Sequence, residues 1–150
     1  MMNKLFLDTE FNSFQGELMS MALVPEDMSK PEFYCEIAIE GPIDPWVQDN
    51  VVPSLHLTAV DKKQFQKSLG QYLYSIGPCM VVADWPDDIR HLCESLITGP
   101  GESLWPLPNI KFELDFNIHY QSLVPHNALW DARAIRDDYL QRNNNGKETT

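Results

Sequence analysis

Residues 5–10 read Leu-Phe-Leu-Asp-Thr-Glu, an apolar run ending in two carboxylates two positions apart. Side chains alternate between faces on an extended backbone, so Asp8 and Glu10 point the same way. Two acids so placed can ligate one hard divalent cation or bridge two. A strand that simply ends in solvated acids has the same pattern, and a lone Asp-x-Glu does not separate these readings.

A second apolar run, Val81-Val82-Ala83, leads into Asp84-Trp85-Pro86-Asp87-Asp88-Ile89. Acids at the start of a helix are favoured by its dipole and by unpaired backbone N–H groups, which is a sufficient structural role for one of them. A third cluster, His126-Asn127-Ala128-Leu129-Trp130-Asp131, sets an imidazole just outside a helix and an acid in its first turns. Such a pair can converge on one cleft, the acid holding metal while neutral imidazole takes a proton from water. As an isolated His-x4-Asp, an N-capping role explains it equally well.

Taken together and in order, the three motifs resemble those of the DEDDh group of 3′-to-5′ exonucleases. Leu-Asp-Thr-Glu-Phe is similar to the first motif, Asp-Trp-Pro-Asp-Asp-Ile to the second and His-Asn-Ala-Leu-Trp-Asp-Ala to the third. The short chain is most similar to compact bacterial and phage exoribonucleases of the mycobacterial, RNase T-like type, over about residues 2–140. The second motif departs from the family's usual form: Asp88 fits the ligand position, with Asp84 four residues earlier where an Asn is expected, and Asp84 is its rival because it ends the strand directly.

The resemblance implies an RNase H-like fold, with two Mg²⁺ or Mn²⁺ ions held by Asp8, Glu10, Asp88 and Asp131. His126 would be the general base, and Asp84 a supporting group or outer ligand. Two divalent cations would cancel four formal negative charges that otherwise repel one another. The implied substrates are single-stranded RNA or DNA 3′ ends, RNA slightly preferred, and activity should fall in acid as the imidazole is protonated.

A terminal nucleotide held without sequence readout needs flat apolar surfaces, and Phe11 and Phe14 follow the first acids. The Thr9 and Phe11 backbone is placed to meet the terminal sugar. Arg133 and Arg136 are candidates for phosphate contacts, and Lys62, Lys63 and Lys67 for steering. A core place for either ring and a solvated surface for the cations are the plain alternatives.

The elements that must position these groups can be read from hydrophobic period and turn residues. Strands are expected at 4–8, 17–24, 33–40, 79–83 and 110–114, the first three as an antiparallel meander and the later ones parallel. Helices are expected at about 45–52, at 61–76 with a stop at Gly77-Pro78, at 87–97 and at 127–142. The expectation is α/β, a mixed five-stranded sheet with helices on its faces.

A chain of 150 residues with 43% apolar content supports one domain, expected over 1–142, followed by a disordered polar tail at 143–150. The N-terminus resembles neither a signal peptide nor a span of roughly 20 apolar residues, so a cytoplasmic protein without membrane contact is expected. Cys35, Cys79 and Cys93 suggest buried thiols, not a disulfide framework or zinc site. A formal charge of −11 argues against gripping long nucleic acid by general phosphate neutralisation.

Two other functions fit the same residues: a silent nucleic-acid- or protein-binding module, and a small-nucleotide phosphatase. A homodimer is possible, with Trp46 or Trp105 either at its interface or in the core.

Overall fold

The computed structural model describes residues 2–147. Strands β1 (Asn3–Phe11), β2 (Leu18–Pro25), β3 (Phe33–Glu36), β4 (Cys79–Ala83) and β7 (Ile110–Leu114) form one sheet in the order β3-β2-β1-β4-β7. The β1–β2 and β2–β3 pairs are antiparallel, while β4 lies parallel to both β1 and β7. This is the mixed α/β sheet expected from sequence.

Central strands covered on both faces read as unbroken apolar runs. On one face, Leu5, Leu7, Met21, Leu23 and Val81 pack against Phe65, Leu69 and Leu73 of α2 (Lys62–Ile76) and Leu92 of α3 (Pro86–Ser95). The other face meets α4 (Ala128–Asn145), where Phe6 and Val82 contact Ile135 and Tyr139, and Ala22 and Val24 contact Ala128 and Ala132. Alternation therefore sends the even-numbered side chains of β1 toward α4 and the odd ones toward α2 and α3.

Several boundaries differ from the sequence reading. β1 runs on to Phe11 because it pairs with β2 past the acids, with a bulge between Glu10 and Phe11. β3 stops at Glu36, not residue 40, because the chain turns to make a single parallel bridge between Ile37 and Val60. The Pro-rich stretch holds α1 (Pro45–Asn50) and a 3-10 turn at Val52–Ser54.

α3 begins at Pro86, whose missing N–H costs nothing at a first helical position, and it ends at Ser95. Ile97, assigned to that helix from sequence, instead opens a small hairpin of β5 (Ile97–Gly99) and β6 (Glu102–Ser103). α4 continues through Asn145, so residues 143–145, expected in a disordered tail, are helical; residues 148–150 lie outside the described ones.

Two glycines are required by the backbone. A Cβ on Gly16 would sit 1.6 Å from the Asn12 carbonyl oxygen inside the β1–β2 turn. Gly77 takes φ of 80° and closes α2 as the sequence predicts. Cys35, Cys79 and Cys93 are free, the first two buried and Cys93 half-buried. Trp46 is 56% and Trp105 88% exposed, so neither is a core residue. Among the described residues no helix is long and apolar enough to cross a membrane.

Candidate metal centre

β1 and β4 are parallel, so both deliver their C-terminal ends to the same edge of the sheet, where α3 and α4 also begin. Asp8 and Glu10 lie on the α4 side of β1, as the period of two requires. There they meet Asp131, one oxygen from each of the three lying within 4.8 Å of the others. Asp8 also belongs to a second group of that size, with Asp84 at the end of β4 and Asp88 in the first turn of α3. The three motifs therefore converge, and Asp8 is common to both groups.

Thr9 faces the other way and reaches Asp88. Its hydroxyl donates to Asp88 Oδ1 at 2.6 Å and its backbone N–H donates to the same oxygen at 3.2 Å. Both Thr9 donors are thus engaged in orienting an acid, leaving Asp88 Oδ2 for other partners. Asp84 and Asp88 each bring an oxygen within 4.8 Å of one on Asp8, so both rivals for the second-motif position reach the cleft.

Asp8, Asp88 and Asp131 are 6%, 3% and 5% exposed. Burial is the main cause that pushes all five acids up, since it penalises the charged form. For Asp8 the charges of Asp88, Glu10, Asp131 and Asp84 add to it, and its carboxyl lies well above the usual range. Glu10 is pushed to about 9 by burial and by Asp131. Asp88 is pushed to about 7 by burial, against the pull of the Thr9 hydrogen bonds. Asp131 is raised less freely, because Ser122, Glu10 and His126 draw it down.

The donor set fits divalent cations. Among the described residues the buried side-chain oxygens without a hydrogen-bond partner are Asp8 Oδ2, Asp131 Oδ1 and Ser20 Oγ. Ser20 stands directly across from Glu10 in the β1–β2 register, so all three belong to this edge. Buried acceptors are normally satisfied, and two orphaned carboxylate oxygens in one cleft suit a hard cation with oxygen ligands.

His126 takes φ of 65°, a left-handed conformation uncommon outside glycine. It is held there by Ser54 Oγ, which donates to the His126 carbonyl at 2.6 Å, and its ring meets the edge of Trp46 at 5.3 Å between centroids. The next residue, Asn127, is 1% exposed and caps α4 by accepting from the N–H groups of Leu129 and Trp130. Its amide also donates to the Ser54 carbonyl at 2.9 Å and the Tyr34 hydroxyl at 3.2 Å. Asn127→Ala should remove the cap and leave these acceptors unmet, costing about 2–4 kcal/mol by the usual worth of a cap plus buried hydrogen bonds. Urea denaturation checks this, and a loss under 0.5 kcal/mol would mean that packing alone places α4.

The remaining expected contacts divide. Phe11 is half-buried with its ring 4.8 Å from that of His91, whereas Phe14 is 83% exposed in the turn. Arg133 lies two residues beyond Asp131, about 200° around the helix by its 100° step, and forks onto Glu32 at 2.8 and 2.6 Å. It is thus turned away from the cleft. Arg136 is buried and paired with Asp137 at 3.0 Å.

Two features escaped the sequence reading. Tyr120, packed on the Phe6 and Val82 side of the sheet, has its hydroxyl pushed up by burial and by the charges of Asp8, Asp131, Asp84 and Glu10. It comes from the irregular segment between β7 and α4, where no period marks a facing. Glu36, 2% exposed, accepts from the N–H groups of His56 and Leu57 at 2.9 and 2.8 Å and from the Tyr34 hydroxyl, tying the segment before α2 to the sheet. Compared with known proteins, the chain matches no family model and no curated protein.

Proposed function

We propose that this protein is a divalent-metal-dependent phosphodiester hydrolase. Within that class the reading is a DEDDh-type 3′-to-5′ exonuclease acting on single-stranded RNA or DNA ends, RNA slightly preferred. The observation that carries it is the sharing of Asp8 between two groups of carboxylates, Asp8-Glu10-Asp131 and Asp8-Asp84-Asp88. The mixed sheet is consistent with an RNase H-like layout, which the motif resemblance also implies.

Asp8, Glu10, Asp88 and Asp131 would hold two Mg²⁺ or Mn²⁺ ions, with Asp84 a further donor. When bound, such ions polarise a phosphodiester and acidify a water. The chain's own residues do the rest. Thr9 fixes the Asp88 carboxylate, and His126 would accept a proton at its ring nitrogen. The left-handed His126 backbone and the adjoining Asn127 cap fix the chain where it enters α4, five residues before Asp131.

The defining test is digestion of matched 5′-labelled single-stranded RNA and DNA with Mg²⁺ or Mn²⁺. A ladder shortening from the 3′ end and abolished by EDTA supports the exonuclease. Release of phosphate from mononucleotides alone would instead make it a phosphatase. His126→Asn tests the base: asparagine tolerates the left-handed backbone, so the fold should persist while kcat drops about 10²–10⁴-fold. An unchanged kcat with an unchanged acid limb of the pH profile would remove His126 from the mechanism.

A further inference from the structure

Lys63, Lys67, Gly70 and Tyr74 recur at helical spacing and line one outward stripe of α2. Across from them stand Thr98 and the 104–106 loop, and the groove between has a volume of about 660 Å³. Gly70 keeps its floor open: a Cβ there would already come within 3.6 Å of the Leu104 side chain, so anything larger than a methyl fills the space.

The groove differs from the rest of this acidic molecule. No Asp or Glu lines it, in a chain of formal charge −11. Lys63 and Lys67 are exposed, and the ion pairs among the described residues all use arginine, so both ammonium groups are free for an anion. Beside them Trp105 is 88% and Tyr74 64% exposed, two flat faces bounding the same groove. Cations interleaved with exposed aromatic rings are the elements by which single strands are held without sequence readout.

Its position follows from the topology. β3 runs parallel to β1, and α2 starts just beyond the Ile37–Val60 bridge, at the sheet edge that carries the acids. From there α2 runs about 22 Å toward the opposite edge. Gln66 joins it to the end of α3 by donating to the Ser95 and Ile97 carbonyls, both at 3.0 Å. The groove thus leads away from the carboxylate edge along the face of α2.

We propose that this groove binds single-stranded nucleic acid, with backbone phosphates on Lys63 and Lys67 and bases stacked on Trp105 and Tyr74. That the bound strand is the enzyme's own substrate rests on the nuclease reading above; the groove's affinity does not. It supplies the grip that the overall charge denies, and confines that grip to one track.

The test is anisotropy of 5′-fluorescein-labelled 20-mers of U and of dT with the full chain, in EDTA at low salt. Trp105→Ala and the double variant K63E/K67E should each weaken binding about tenfold or more, with circular dichroism unchanged because all three side chains are exposed. K63E/K67E should also flatten the log–log salt dependence by about 1.4, the value for two phosphates on a single strand. Gly70→Glu should weaken binding by filling and charging the floor.

Equal binding by wild type and all variants overturns the groove, as does failure of the wild type to bind either 20-mer, which would leave an acidic protein as the partner for this patch. A chain that binds through the groove yet cleaves nothing with Mg²⁺ overturns the nuclease and keeps the groove. Cleavage of 20-mers unimpaired in Trp105→Ala and K63E/K67E keeps the nuclease and overturns the groove as the track of its substrate.

Discussion

Asp8→Asn should lower metal-dependent hydrolysis by at least about 10³-fold and, in the same protein, raise the melting temperature of the metal-free chain. Asp8 is the acid common to both groups of carboxylates, so its loss weakens both. The effect should exceed the 10–100-fold typical of an outer partner of a metal ligand. Stability moves the other way because this carboxylate is buried and faces four other acids, and desolvation and repulsion both penalise its charge. Asparagine keeps the shape, removes the charge and offers an N–H₂ to oxygens that now lack a donor.

A gain of about 1–3 kcal/mol at pH 8 corresponds to several degrees in a chain of this size. It should shrink in acid, because burial and the neighbouring acids hold the Asp8 carboxyl well above the usual range and favour its neutral form. Scanning fluorimetry of both proteins in EDTA and in Mg²⁺ reads this directly. A lower metal-free melting temperature for Asp8→Asn would show that the carboxylate is a structural partner, and the metal reading would lose its physical basis.

The metal-free protein should lose stability as pH rises from about 4 to about 9, and divalent cations should restore it. Glu10 moves from an ordinary 4.5 to about 9 on folding, and Asp88 from 3.8 to about 7. Between those limits the native state binds more protons than the unfolded chain, so the stability of the fold falls with pH. The contribution is complete below the unfolded values, is lost through about pH 7 for Asp88, and continues to fall to about pH 9 for Glu10.

At about 1.4 kcal/mol per pH unit while a single group titrates, the fall is large enough to move urea midpoints. His91 works the other way: burial and Arg90 lower it, so its contribution rises with pH through the region just below its ordinary 6.5. Glu32 and Asp115, lowered chiefly by Arg133 and by Arg142 against burial, lose their contributions only in stronger acid. The carboxylate cluster therefore sets the slope at neutral pH. Cations bind the deprotonated form, so added Mg²⁺ or Mn²⁺ should flatten or reverse it. Urea midpoints from pH 4.5 to 9 in EDTA, unchanged or rising across the range, would contradict a buried, mutually repelling cluster.

The sequence by itself determined the elements whose signal is local. Val81–Ala83 and Leu5–Leu7 are unbroken apolar runs because a central strand is covered on both faces, and the structure places them side by side at the centre of the sheet. The Phe65, Leu69, Tyr72, Leu73 and Ile76 spacing marks α2 because a helix buries one stripe, with Asp61 and Gly77 at its ends. The same-face placement of Asp8 and Glu10 follows from the period of two, and the three acid-bearing motifs could be found because each sits where an element begins or ends.

Only the tertiary structure decided how those motifs meet. That Asp8 serves two groups of acids, that Asp84 and Asp88 both reach it and that Thr9 holds Asp88 are contacts across 70 or more residues of chain, set by the parallel β1–β4 pairing and without a local signature. Arg133 was placed by type and turned away by the helical step that points Asp131 inward. Tyr120 and Glu36 were invisible because a loop or a short strand has no period to tell an inward residue from an outward one. The free lysines of α2 were legible as a cluster, but their alignment with Trp105 is made by the 97–106 hairpin and loop folding back along the helix, a contact that spacing along the chain does not encode.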